Sequence, residues 1–149
     1  MNDKKFLPAL VALLLVCCTA LAQAAEVAGT IKTSRGEATI ERAGASLPAA
    51  VGAAVQVNDR IVTGSDGIVG VTLRDNTRLT AGPDTTLALD QYQFDTTTHD
   101  GAMDATVSRG SLAVISGDIA KSSPDAVVFR TPTVTLGVRG TEFITETGK

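Results

Sequence analysis

The chain has 149 residues, room for one domain, and carries 13 basic against 16 acidic residues for a net charge of −3. A mildly acidic chain with one tyrosine, four phenylalanines and no tryptophan lacks the basic footprint of a nucleic-acid binder. Its two cysteines, Cys17 and Cys18, both sit in an N-terminal apolar run, so the remainder has no disulfide and no thiol nucleophile.

Lys4 and Lys5 precede that run, Phe6 to Leu21, and Ala22 and Ala24 form an Ala-x-Ala pattern before Ala25. This three-part layout is that of a secretory signal peptide over residues 1–24, with the exported domain over 25–149. The rival is an uncleaved anchor. The run only touches the lower limit of a spanning helix, about 17–25 residues, and it contains Pro8. Lipid attachment at Cys17 or Cys18 wants a small preceding residue, and Val16 and Cys17 stand there. Removing residues 1–24 takes away Lys4, Lys5 and Asp3, leaving 11 basic and 15 acidic residues and a net charge of −4. The exported chain must be held by its apolar core, and a domain of this size hides roughly two-thirds of its unfolded surface.

From there the chain reads as short strands broken by Gly, Asp and Asn, the signature of an all-β domain. Residues 29–34 and 38–42 flank a turn at Arg35–Gly36. The Ala-rich stretch 43–55 is interrupted by Gly44, Pro48 and Gly52, which predicts a hairpin loop and an extended segment in place of a helix. Val55, Val57 and residues 60–63 follow around a turn at Asn58–Asp59, and residues 64–67 turn again. In "IVGVTL", Val69, Val71 and Leu73 share one face, as a half-buried strand requires. Asp75–Thr77 makes a tight turn, since Asp and Asn tolerate the left-handed backbone that hairpins need. After "RLT" and a turn at "AGPDT", the run "TLALDQYQF" offers Leu87, Leu89 and Tyr92 to the core. Residues 95–104 read as a polar surface loop, "TVSRGSLAVIS" as a hairpin about Arg109–Gly110, and residues 117–126 as a second exposed loop. "VVFRTP" and "TVTLGVRGTEFI" close the chain. The expected fold is a single all-β domain of short antiparallel strands, arranged as a β-roll, a solenoid-like stack or a sandwich.

The last stretch contains a phase break. Val134, Leu136 and Val138 share one parity, while Phe143 has that of Arg139. An extra residue at Gly137 or Gly140 would form a β-bulge and turn Phe143 inward. A phosphate loop is excluded, because Gly140 is followed by Thr-Glu-Phe where a lysine and a helix are needed. Arg139 has two readings: an ion pair with a carboxylate such as Asp59 or Asp75, or an anchor for a partner, a role in which arginine is enriched.

Catalytic signals are absent. His99 is the only histidine and lies in a polar stretch beside Asp100, with no cysteine or glycine-elbow serine to complete a triad. The same shortage argues against zinc. Asp95, Asp100 and Asp104 cluster, but without the spacing of a calcium loop. No enzyme activity, cofactor or metal is expected.

Taken in order, "NDRIVTG", "GVTLRDNTRLTAGPDTTLAL", "SRGSLAV" and "FRTPTVTLGVRGTEF" resemble the FecR domain family over roughly residues 27–145. The structural motif positions are Asp59, Gly64, Asp75, Asn76, Gly110, Pro132, Gly137, Gly140, Thr141 and Phe143. Asn58 and Asn76 stand where the family usually has glycine, and both keep the turn chemistry. The resemblance implies an all-β envelope domain. In the founding members that domain relays the state of an outer-membrane receptor to a sigma factor. Only five residues precede Phe6, so a stand-alone form without a cytoplasmic anti-sigma segment is expected. The expectation is therefore a periplasmic or secreted, non-catalytic module with an unknown envelope protein as partner and no stable membrane span once the leader is removed. A structural or glycan-associated envelope protein is the alternative.

Overall fold

The computed structural model of the protein describes residues 26–133, 135–137 and 142–147. The expected leader and Arg139, Gly140 and Thr141 lie outside the described residues. No helix among the described residues is long and apolar enough to cross a membrane.

The strands form one curled, mostly antiparallel sheet whose two arms line a single core. One arm runs in the order β4 (Ala54–Gln56), β1 (Val27–Arg35), β6 (Ile68–Leu73), β7 (Arg78–Ala81), then the C-terminal part of β9 (Gly101–Ile115), then β12 (Glu142–Thr147). The other arm runs β3 (Ala45–Pro48), β2 (Ala38–Arg42), β5 (Arg60–Thr63), β8 (Thr86–Phe94), the N-terminal part of β9, β10 (Val127–Arg130), β11 (Thr135–Gly137). The chain passes between the arms at most of its turns. That is why turn residues recur at short intervals. The β9–β10 pair is parallel, the one departure from the expected antiparallel pattern among the described strands.

The strands form where apolar residues alternate. Val69, Val71 and Leu73 of β6, Leu79 and Ala81 of β7, and Leu87 and Leu89 of β8 are all buried, as the alternation predicts. Tyr92 is buried too, out of phase with Leu89, because the register of β8 against β9 slips between Leu89 and Gln91. Ile31, Ile40, Ile61, Val107, Leu112 and Phe129 complete the centre of the core from both arms.

Four sequence expectations are corrected. First, Arg109–Gly110 is no hairpin: β9 is one strand of 15 residues. Its burial phase inverts there, from Met103, Ala105 and Val107 to Leu112 and Val114, as the strand leaves one arm for the other. Gly110 has a φ of 87°, and a Cβ on it would lie 2.3 Å from Thr85 Oγ1, so only glycine fits this corner. Second, residues 101–104 are strand, with Met103 in the core; the loop is only 95–100. Third, residues 117–126 fold into α1 (Asp118–Ser122) and a 3₁₀ turn over Pro124–Ala126, because Ile119 is drawn fully into the core.

Fourth, the C-terminal stretch is not one bulged strand. β11 pairs with β10 in one arm and β12 pairs with β9 in the other, so the phase break marks a change of arm between residues 137 and 142. Phe143 does turn inward, against Phe129 at 5.2 Å in an edge-on contact. Gly137 sits opposite Val128 with open space where a Cβ would be, so no steric need holds glycine there.

Candidate functional site

Two buried carboxylates dominate the polar interior, and both belong to the motif positions. Asp59 lies in the turn between β4 and β5 and is 1% exposed. Its Oδ1 accepts from Arg42 Nε at 2.8 Å, and its Oδ2 accepts from Arg42 Nη2 at 2.6 Å and Gln56 N at 2.8 Å. Arg42 also donates to the Ala54 carbonyl at 3.0 Å. The hydrogen bond to Asp59 raises the Arg42 pKa further above its ordinary value. The group therefore fixes β2, β4 and β5 to one another at the point where the chain changes arm.

Asp75 is fully buried in the β6–β7 turn, and among the described residues no cation pairs with it. Hydrogen bonds take the place of a counter-ion. Asp75 accepts from Tyr92 Oη at 3.0 Å, from Thr77 Oγ1 at 2.6 Å and from the backbone N–H of Thr77 at 3.3 Å. It also accepts a longer bond from Ile119 N at 3.4 Å, and its own N–H donates to Tyr92 Oη at 2.9 Å. Its carbonyl receives Asp118 N at 2.7 Å, while Thr77 Oγ1 receives Gly117 N at 3.1 Å. The turn thus anchors the start of α1. Burial, and then the Asp75 charge, push the Tyr92 hydroxyl well above its ordinary pKa of 10.0. Asn76 takes the left-handed conformation expected of it, with φ 67°.

Of the remaining motif residues, Gly140 and Thr141 lie outside the described residues, Gly110 makes the corner of β9, and Phe143 packs against Phe129. A Cβ on Gly64 would press on the Glu37 side chain at 3.1 Å, and Pro132 lies exposed in the bend between β10 and β11. Arg139 is outside the described residues, and the two carboxylates suggested for it are engaged as above, Asp59 by Arg42 and Asp75 by Tyr92 and Thr77.

The chemistry-bearing residues do not converge. His99 is exposed in the β8–β9 loop, stacked against Phe94 with ring centroids 6.1 Å apart. Asp95 caps its own loop by accepting from Thr97 N and Thr98 N, which lowers its pKa, while Asp104 pairs with Arg130 at 2.8 Å. No group of three or more His, Cys, Asp or Glu side chains able to hold a metal occurs among the described residues. Three surface clefts among the described residues, of about 200, 350 and 430 Å³, are lined by no histidine.

What the fold does expose is strand edge. Among the described strands, β3, β4, β11 and β12 each pair on one side only. β3 ends in Pro48, and β4 and β11 have three residues each. β12 has six residues, pairs without a register shift from Glu142↔Ile115 to Thr147↔Gly110, and points Glu142, Ile144 and Glu146 outward. Sequence reading centred on Arg139 missed this edge. Its signal is the alternation Glu-Phe-Ile-Thr-Glu, hidden when "TVTLGVRGTEFI", residues 133–144, is read as one strand.

A family model described as FecR protein matches residues 59–149, from the buried carboxylate of the β4–β5 turn to the end of the chain. β1 to β4 precede that match, yet β1 and β2 lie within the same sheet. No curated protein and no solved structure matches the chain.

Proposed function

The chain belongs to the FecR family, a family of signalling and regulatory domains, and on that premise we propose that it is a non-catalytic module acting by protein–protein contact in the bacterial envelope. One observation carries the reading. Among the described residues, the polar side chains of the family motifs, Asp59, Asp75 and Asn76, are engaged in holding turns, with Thr77 as a partner of Asp75, which leaves exposed backbone edge and surface for a partner. Export by a cleaved leader places such a module in the periplasm or outside the cell, and N-terminal sequencing of the mature protein should then begin at Ala25.

The test is recovery of the tagged protein from cross-linked envelope extracts. A discrete protein held in fixed ratio supports the reading. Co-sedimentation with cell-wall material and no protein partner replaces it with a structural or glycan-associated role. A hydrolytic activity of the purified protein that is lost on substitution of an exposed acid or of His99 would replace both.

A further inference from the structure

We propose that the outer edge of β12 receives an extended segment of a partner protein in which two basic residues flank an aliphatic one, in the pattern basic–x–aliphatic–x–basic. This rests on the protein-contact reading above and names its surface. Natural sheets blunt their edges with short strands, prolines, bulges or charged side chains, since an open edge is a template for another strand. β3, β4 and β11 follow that rule through Pro48 or short length. β12 is guarded by charge alone, Glu142 and Glu146, which repel a like-charged strand and admit a basic one: it is six residues of regular register with no proline, its inward positions are Phe143 and Thr145, and Ile144 at its centre is 70% exposed. Ile115, on the adjacent strand and 43% exposed, extends the apolar strip beside it.

Charge selects the occupant. Glu142 and Glu146 flank Ile144 on the outward face, and among the described residues neither is in an ion pair. Arg109 lines the same small cleft as Glu146 without pairing with it. A second copy is a poor fit. Antiparallel self-pairing centred on Ile144 sets Glu142 against Glu146 twice, and centring on Thr145 sets Ile144 against Glu146. In-register parallel pairing stacks each glutamate on its copy. Like charges directly opposite destabilise a strand pair, whereas opposite charges and aliphatic pairs stabilise it. The array Glu-x-Ile-x-Glu reads the same in both directions, so the complementary pattern fits a parallel or an antiparallel guest. Main-chain bonds supply affinity in this mode and alternate side chains supply selection.

The experiment uses protein expressed from the full sequence and two labelled peptides, Thr-Arg-Thr-Val-Thr-Arg-Thr and the same peptide with glutamate for arginine, read by fluorescence anisotropy. Saturable binding of the basic peptide is expected, weakened by about tenfold or more in the Glu142→Lys/Glu146→Lys variant, which should gain the acidic peptide. Ile144→Asp should weaken the basic peptide as well. Failure to bind the basic peptide, equal binding of both peptides, or no effect of the charge reversal overturns the proposal. So does sedimentation as a dimer that Ile144→Asp dissociates, which would assign the edge to a second copy. If the edge fails but the charge-reversed variant still recovers the same envelope protein as the parent, the protein-contact reading stands and only its surface is wrong. If no protein is recovered at all, both fall.

Discussion

Asp59 and Asp75 are both sealed from water, and the fold compensates each in a different way. Asp59 faces a guanidinium across two short bonds, so removing its carboxylate strands Arg42 and frees the Gln56 amide. Breaking a fully buried pair from one side costs about 3–5 kcal/mol, and the cost here falls toward or below the lower end because the Arg42 side chain is 29% exposed. Asp59→Ala should therefore lower the urea midpoint sharply, whereas Arg60→Ala, whose partner Glu41 is half exposed, should leave it nearly unchanged. Asp75 depends on dipoles instead. Tyr92→Phe removes both a donor to its carboxylate and an acceptor for its amide, at a cost of about 2–3 kcal/mol. The Tyr92 pKa is raised by folding, so the folded state holds that proton more tightly than the unfolded chain. Its contribution is complete below the ordinary value of 10.0 and is lost as pH climbs above it. Denaturation between neutral pH and pH 11 should show the wild type losing stability above pH 10.0 more steeply than Tyr92→Phe. Parallel curves would separate Tyr92 from the alkaline loss.

Among the elements, β9 bears the most structural demand. It pairs with β8 and β10 through its first half and with β7 and β12 through its second. The change is made at Gly110, where a left-handed φ coincides with the close approach of Thr85 and Asp84. Gly110→Ala combines backbone strain with a collision and should cost on the order of 2–3 kcal/mol or more by chemical denaturation. Gly137→Ala is the control, with open space and no left-handed φ, and should be neutral or slightly stabilising. Much of this was legible in the chain: β6, β7 and β8 and their turns follow from alternation and from Asp75–Asn76. The corner at Gly110 was not. A glycine beside an arginine between two apolar runs is equally compatible with a hairpin, and only the partners on each side of β9 distinguish a bend from a reversal. Helix α1 was hidden for a related reason. Five residues with no side-chain cap of their own carry little helical signal, and the groups that hold its first turn come from Asp75 and Thr77, some forty positions upstream.

At the scale of the molecule, the two arms share β9 and one core, so neither arm has a separate interior. Unfolding should be a single cooperative step, with far-UV circular dichroism and Tyr92 fluorescence giving coincident urea curves. Separated curves would mean that the arms melt independently and that β9 does not couple them. The amino-acid sequence by itself determined the all-β class, the family and most of the turn residues. Each of these depends on local alternation, backbone preference or composition, which neighbouring residues express without help. Tertiary structure alone decided which strands pair, that β9 turns a corner, that Asp59 and Asp75 are interior braces, and that among the described strands β12 pairs on one side only. Those outcomes depend on contacts between residues tens of positions apart, where a side chain's surroundings are set by the closure of the sheet and not by its neighbours in the chain.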